Sequence, residues 1–228
     1  MLSVAAAAAK SKHVLIPKLN AITQQKPENC MTKVLQQFIT FVSMREHLLA
    51  VSLAFFIFLL GIPYAFYLGE HLPYVDEHDY NALAHNIVFK QAYTVDGEHP
   101  DGHRAPGYPL LLALLVSMGA GVPHLRLLNF AALALSLYFL YAMVRDLVSP
   151  IAGVIAASLV ICYPVLFYAA GLLFPQTLGA CLLVLVLFRL SKASTTPVNS
   201  LLLTGFLFGY LMLTIPIFVF TLPMIVLW

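Results

Sequence analysis

Residues 48–69 read LLAVSLAFFIFLLGIPYAFYLG and contain no Asp, Glu, Lys, Arg or His. An α-helix rises about 1.5 Å per residue, so this stretch is long enough to cross the ~30 Å hydrocarbon core of a bilayer. A charge at the centre of such a helix costs about 2.5–3.5 kcal/mol on insertion scales, so uncharged intervals indicate membrane spans. The stretch therefore predicts a transmembrane helix.

Four more uncharged intervals follow along the chain, at residues 105–123, 127–144, 147–188 and 193–228. The interval 147–188 is long enough for two helices, and we expect it to break at Pro164 and Pro175. Backbone amides find no water in lipid, so each of these segments should be helical. The sequence predicts an all-α fold, a polytopic transmembrane helix bundle of about six spans.

The composition supports this class. Hydrophobic residues make up 61% of the 228 residues and charged residues 10%, against roughly a quarter charged in soluble domains. A soluble protein of this size would lack the polar side chains to cover its surface. The formal charge of +2, without a basic stripe and interleaved aromatic residues, argues against a nucleic-acid partner. The three cysteines show no disulfide or zinc spacing and are expected to be packing residues.

Charge also predicts orientation. The tail, residues 1–46, is basic and is expected to be cytoplasmic; its Lys and Arg residues are Lys10, Lys12, Lys18, Lys26, Lys33 and Arg45. Residues 47–228 form the membrane module of a multi-pass protein of the inner or plasma membrane. Six crossings place Arg189 and Lys192 outside, against the same tendency. Either a helix within 147–188 is re-entrant, or the charge bias is weak here.

One polar loop, residues 70–104, lies between the first two spans. It holds seven of the ten Asp and Glu residues and five of the eight His. Apolar residues from Tyr80 to Val88 recur at i, i+3, i+4, i+7 and i+8, which predicts an amphipathic interfacial helix of about four turns. Polar groups concentrated at one face of an apolar protein mark the expected place of its chemistry.

Two roles are open for Asp76 at the start of this helix. Asp is a favoured N-cap, with Asp79 at the capping-box position and Val75 and Tyr80 as a hydrophobic staple. Alternatively, Asp76 or Glu77 is a general base that takes a proton from an incoming hydroxyl. The two roles are compatible, because a capping carboxylate has a fixed direction.

Arg104 stands just before the second span, in the sequence RAPGYPL. An arginine in this place often anchors a helix end. Its guanidinium also suits phosphate oxygens, and it faces the same compartment as the carboxylates. A base and a phosphate anchor at one interface predict group transfer from a lipid phosphate.

A divalent cation is a candidate cofactor at His99 and His103, which have carboxylates nearby. The spacing of the two histidines matches no standard zinc pattern. A solvated loop is the alternative, and we predict no metal ligand among the site residues.

The segments YVDEHDYNALAHNI (74–87) and RAPGYPLLLALL (104–115) resemble the first extracytoplasmic loop and second span of GT-C glycosyltransferases. The similar branch contains protein O-mannosyltransferases, aminoarabinose transferases of lipid A and core galacturonosyltransferases. The resemblance covers residues 47–228, the N-terminal half of a typical member. Because the chain also stops within an apolar stretch at Trp228, we expect it to be C-terminally incomplete and to lack a further half.

The resemblance implies transfer of a sugar, with inversion, from a polyprenyl-phosphate donor to an acceptor glycan, lipid or protein on the non-cytoplasmic face. It places the family's acidic pair on Asp76 and Glu77, with Asp76 as the base. It places the contact for the donor phosphate on Arg104. Tyr80 and Tyr108 match positions that line the same region.

Two departures from the family favour an alternative. Gln176 stands where many members carry glutamate, and Ile215 where they commonly carry arginine. The chain is then an inactive or truncated relative, or one subunit of a split transferase. A transporter or channel is a third hypothesis, which is disfavoured because such proteins place ionisable residues within their spans.

Overall fold

The computed structural model describes residues 30–192 and 198–223. Two compact units make up the chain, residues 1–44 and residues 45–228. In the first unit, residues 30–44 are described, and they are helical. The second unit contains all the residues of the candidate site.

The described residues form eight α-helices, one 3₁₀ helix and no strand, which confirms the all-α class. They are α1 Cys30–Leu68, α2 Val75–Lys90, α3 Gly107–Ser117, α4 Val122–Leu147, α5 Pro150–Ile161, α6 Pro164–Ala170, α7 Pro175–Leu190, α8 Val198–Thr214 and the 3₁₀ helix Pro216–Thr221. The helix predicted in the polar loop is α2.

Two of these helices are long and apolar enough to cross a membrane, Arg45–Leu68 within α1 and Val122–Leu147. The pair α5 and α6 passes this test only when the two helices are taken together, and a bend of 63° separates them. Three further apolar helices are shorter, Gly107–Ser117, Pro175–Leu190 and Leu201–Thr214. These helices confirm the membrane bundle, whereas the count of about six spans stays a prediction.

The predicted breaks in the interval 147–188 are confirmed. Pro164 is the first residue of α6 and Pro175 is the first residue of α7. Proline is tolerated there because the first turn of a helix leaves its N–H groups without intrahelical acceptors. Each proline therefore begins a new helical segment.

Polar contacts mark one end of the bundle. Arg126, near the start of α4, donates to the carbonyl oxygens of Gly69 and His71, which follow α1. Leu173, between α6 and α7, donates its N–H to Glu77 of α2. The linker between α1 and α2, the linker between α6 and α7 and the start of α2 therefore meet at this end. We call this region the loop end.

The opposite end is marked by a second set of charged residues. Arg145, in the last turn of α4, contacts His47 of α1, with 2.6 Å between Nη1 and Nε2. Lys192, which follows α7, pairs with Asp146 at 2.9 Å. Helices α1, α4 and α7 therefore run between the two ends.

Helix α3 does not connect the two ends. Just before its start, Arg104 pairs with Asp76 of α2. Just after its end, a Cβ on Gly121 would lie 3.0 Å from Oε1 of Glu70. Its 11 residues rise only about 16 Å. The interval 105–123, which the sequence predicts as a span, therefore begins and ends at the loop end.

Helix α3 begins where α8 ends. The Tyr210 hydroxyl donates to the carbonyl oxygen of Gly107 at 2.8 Å. A Cβ on Gly107 would lie 2.6 Å from Oγ1 of Thr214 and 2.7 Å from the carbonyl carbon of Leu213. Glycine allows this approach because it has no side chain. The contact fixes the start of α3 and with it the neighbouring Tyr108.

Gly107→Ala is expected to destabilise the protein by about 1–3 kcal/mol, the usual cost of forcing an extra methyl group into a packed contact. Thermal unfolding in detergent measures this as a lower Tm. Gly205→Ala on α8 is the matched control, because a Cβ there meets nothing within 4 Å. Alanine also favours the helix, so the control should not lower the Tm. Equal Tm values for Gly107→Ala and wild type would contradict the close packing.

Candidate functional site

The start of α2 differs from the prediction. The N-cap is Tyr74, in extended conformation, and its N–H donates to Oε2 of Glu77 at 3.3 Å. The predicted N-cap at Asp76 is therefore wrong, because the helix begins two residues earlier and Glu77, not Asp79, takes the capping-box position. The predicted staple is also wrong, because Val75 is largely exposed while Tyr80 is buried.

Two carboxylates of α2 share one guanidinium. Nη2 of Arg104 donates to Oδ1 of Asp76 at 2.6 Å and to Oδ2 of Asp79 at 2.8 Å. The side chains of Asp76, Asp79 and Arg104 are 50%, 23% and 24% exposed. The structure thus brings Asp76 and Arg104 together at the border of the protein, and it adds Asp79. A carboxylate that can accept a proton and a guanidinium that can bind an anion therefore lie within a few ångströms of each other.

Two aromatic residues hold Arg104 from other sides. Its guanidinium carbon lies 5.4 Å from the centre of the Tyr80 ring, and its carbonyl oxygen accepts a hydrogen bond from the Tyr93 hydroxyl at 2.9 Å. Hydrogen bonds to Asp76 and Asp79 raise the pKa of Arg104 above its ordinary value. Burial raises the pKa of Tyr93 to about 12 and also raises the pKa of Tyr80. At neutral pH the guanidinium is charged and both phenols are neutral.

Glu77 points into the protein. Its side chain is fully buried, and Oε1 accepts the N–H of Leu173 at 2.9 Å. The same oxygen lies 4.0 Å from Nη2 of Arg126, which is also fully buried. Adjacent carboxylates therefore have opposite surroundings, with Asp76 at the surface and Glu77 in a buried charge pair.

A second buried contact joins α3 to α4. Asn129 lies one turn after Arg126, and its Nδ2 donates to the carbonyl oxygen of Leu172 at 2.6 Å and to the Tyr108 hydroxyl at 3.0 Å. Tyr108 is fully buried, and its ring meets Tyr80 edge to face at 5.4 Å. The two predicted tyrosines thus connect Arg104 to the buried polar residues of α4.

Arg126 and Asn129 are not among the site residues that the sequence predicts. In the sequence, Arg126 lies between the uncharged intervals 105–123 and 127–144. The available signal was an arginine at the edge of a predicted span, since ionisable residues in membrane helices commonly carry a function. The spacing i, i+3 also places Arg126 and Asn129 on one face of α4.

His99, one of the two histidines considered as metal ligands, contacts a carboxylate of its own loop. Within residues 30–192 and 198–223, no group of three or more His, Cys, Asp and Glu side chains is placed to hold a metal ion. His99 lies with Nδ1 2.8 Å from Oδ2 of Asp96, and Asp96 also accepts the N–H groups of Glu98 and His99. Hydrogen bonds from these N–H groups lower the pKa of Asp96.

The two family departures occupy different surroundings. Ile215 packs against α7, where a Cβ on Gly179 would lie 2.3 Å from Cδ1 of Ile215. Gln176 lines a cavity of about 340 Å³ together with Ser136 and Thr177. Neither position forms the Asp76–Arg104 contact.

Comparison with known proteins gave a family match. A model of the family described as dolichyl-phosphate-mannose-protein mannosyltransferase matches residues 99–228, more than half of the chain. The matched range contains Arg104, Tyr108 and Arg126, whereas Asp76 and Glu77 precede it. No curated protein and no solved structure matched the chain.

Tyr108→Phe is expected to destabilise the protein by about 1–3 kcal/mol, because it leaves the buried Asn129 amide without one of its partners. A lower Tm in detergent would report this. Tyr141→Phe is the control, since the buried Tyr141 hydroxyl lies beside the Arg145 side chain and forms no hydrogen bond to a buried amide among the described residues. A Tm loss of the same size in both variants would show that the Tyr108–Asn129 contact contributes nothing specific.

Proposed function

Because the chain belongs to the dolichyl-phosphate-mannose-protein mannosyltransferase family of GT-C glycosyltransferases, we propose that it transfers a sugar from a polyprenyl-phosphate donor to an acceptor hydroxyl at the loop end. The observation that supports this most is the 2.6 Å contact between Asp76 and Arg104. Glycosyl transfer from a lipid phosphate needs a base for the incoming hydroxyl and a cation for the departing phosphate. The two groups lie side by side.

Asp76 is the proposed general base. Its hydrogen bond to Arg104 uses Oδ1, and half of the side chain is exposed, so Oδ2 is available to the acceptor. The acceptor hydroxyl gives its proton to Asp76 while its oxygen bonds to the anomeric carbon. The bond from that carbon to the phosphate oxygen breaks, and the polyprenyl phosphate leaves with the electron pair. Attack opposite to the leaving group inverts the anomeric centre.

Arg104 is the proposed contact for the donor phosphate. Its guanidinium lies between two carboxylates, so a phosphate oxygen must compete with them for the N–H groups. Asp79 is the less exposed of the two and is expected to keep its contact. The phosphate then takes the place of Asp76, and donor binding releases the base for the acceptor.

The other predicted residues support this arrangement. Glu77 is assigned to hold the first turn of α2, because its oxygens are already bonded to the N–H groups of Leu173 and Tyr74. Tyr80 places its ring against the Arg104 guanidinium. The buried Tyr108 ring packs edge to face against the Tyr80 ring.

We propose that the loop end faces the non-cytoplasmic side of the membrane. The opposite end carries Arg145 and Lys192 near residues 45–47 of α1, as cytoplasmic faces usually do. Without a crossing at residues 105–123, the proposed topology places Arg189 and Lys192 on the cytoplasmic side, in line with the charge tendency. Since α3 returns to the loop end, Lys192 lies at the same end as the start of the first span.

Asp76→Asn is expected to lower sugar transfer by about 10²–10⁴-fold, the usual contribution of a general base. Its Tm should equal that of wild type, because Asp76 is half exposed and the helix is capped by Glu77. The measurement is transfer of a labelled sugar from a polyprenyl-phosphate donor in membranes that contain the full-length protein. Glu98→Gln, which neutralises an exposed carboxylate of the same loop, should keep the wild-type rate.

A wild-type rate for Asp76→Asn would place the base elsewhere, and Asp79, the other partly exposed carboxylate at Arg104, would be the next candidate. Arg104→Ala tests the other half of the site. It should raise the KM for the donor, because the phosphate loses its charged partner. An unchanged donor KM would reduce Arg104 to a helix anchor.

Cysteine labelling tests the orientation. In a variant without native cysteines, Glu98→Cys should react with a membrane-impermeant maleimide on intact cells. Lys192→Cys should react only after the membrane is permeabilised, because it lies at the opposite end. The reverse pattern, or equal labelling of both positions on intact cells, would contradict the proposed topology.

A further inference from the structure

We propose that Arg126 is a positioning residue for sugar transfer, which directs Asp76 by fixing the first turn of α2. This inference rests on the proposed function. It concerns a residue that lies within the bundle, behind the groups assigned to donor and acceptor.

Arg126 binds the segment that leads into α2. Its side chain is 0% exposed, and its Nη1 and Nη2 donate to the carbonyl oxygens of Gly69 and His71. These residues follow the last turn of α1, where carbonyl groups lack intrahelical donors. The planar guanidinium can serve two acceptors in fixed directions. Arg126 therefore sets the path of the linker between α1 and α2.

Glu77 extends this control to α2 itself. It lies 4.0 Å from Arg126, and its two oxygens accept the N–H groups of Leu173 and Tyr74. One charge pair thus joins the linker before α2, the first turn of α2 and the linker between α6 and α7. Asp76 is the covalent neighbour of Glu77, so any displacement of Glu77 moves the proposed base.

Stability alone does not account for this pair. An apolar pair of the same volume often stabilises a protein as well as a buried ion pair, because burying charges costs desolvation. The Arg126 side chain also leaves its Nε buried without a hydrogen-bond partner among the described residues. What an apolar pair cannot do is hold two carbonyl oxygens and two N–H groups in fixed directions. The function of the pair is therefore to set geometry.

Arg126→Lys tests the proposal, because it keeps the charge and loses the two-acceptor geometry. We expect kcat to fall tenfold or more, since a displacement of about 1 Å can cost 10²-fold in rate. The KM for the donor should stay within about twofold of the wild-type value. A change of that size is far smaller than the tenfold change that about 1.4 kcal/mol of lost binding free energy would produce. Arg145→Lys, at the opposite end, is the matched control and should keep the wild-type kcat. An unchanged kcat in a folded Arg126→Lys protein would overturn the proposal.

The double variant Asp76→Asn, Arg126→Lys separates positioning from a general structural effect. If Arg126 acts through Asp76, adding Arg126→Lys should leave the residual rate of Asp76→Asn unchanged, because the two changes remove the same contribution. If the residual rate falls by the same factor as in the wild-type background, Arg126 has no specific link to the base. A wild-type rate for Asp76→Asn alone would instead show that the proposed role of Asp76 as the base has failed.

A second variant covers the case in which Arg126→Lys does not fold. Glu77→Gln combined with Arg126→Met removes both charges and should still fold, since neither charge is left unpaired. Its kcat should still be at least tenfold below wild type, because the linker carbonyl oxygens have lost their donors. A wild-type kcat in this folded double variant would overturn the proposal.

Discussion

The buried charge pair of Glu77 and Arg126 determines the structure of the loop end. Both side chains are fully buried, and neither could remain charged there without the other and without hydrogen bonds to the backbone. Those hydrogen bonds reach Gly69, His71 and Leu173. A charge placed in an apolar bundle must find such partners, and in doing so it fixes chain segments that are far apart in sequence.

The helix geometry of α2 gives two adjacent carboxylates different tasks. Neighbouring residues of a helix point about 100° apart, so when Glu77 faces the core, Asp76 faces outward. The outward carboxylate meets Arg104, together with Asp79 one turn further on. A proposed base next to a structural carboxylate thus follows from one turn of helix and one buried partner.

The path of α3 brings the phosphate-binding candidate to this base. Helix α3 starts and ends at the loop end, and Gly107 packs against the end of α8. Because α3 does not cross the bundle, Arg104 stays in contact with α2 and Tyr108 stays in contact with α4. The same path puts Arg145 and Lys192 at the end opposite to Asp76, so charges collect at two separate faces of an apolar protein.

The sequence by itself determined the fold class, the breaks at Pro164 and Pro175 and the helix in the polar loop. Each depends on local properties: uncharged length, the missing N–H of proline and the spacing of apolar residues. Asp76 and Arg104 could be named as candidates because their residue types suit the chemistry. Only the tertiary structure decided that Arg104 also donates a hydrogen bond to Asp79 and that Glu77 faces the core beside Arg126. It also decided that α3 begins and ends at the loop end. Glu77 and Leu173 are 96 positions apart in the chain, and no local pattern specifies a contact that depends on how the whole bundle packs.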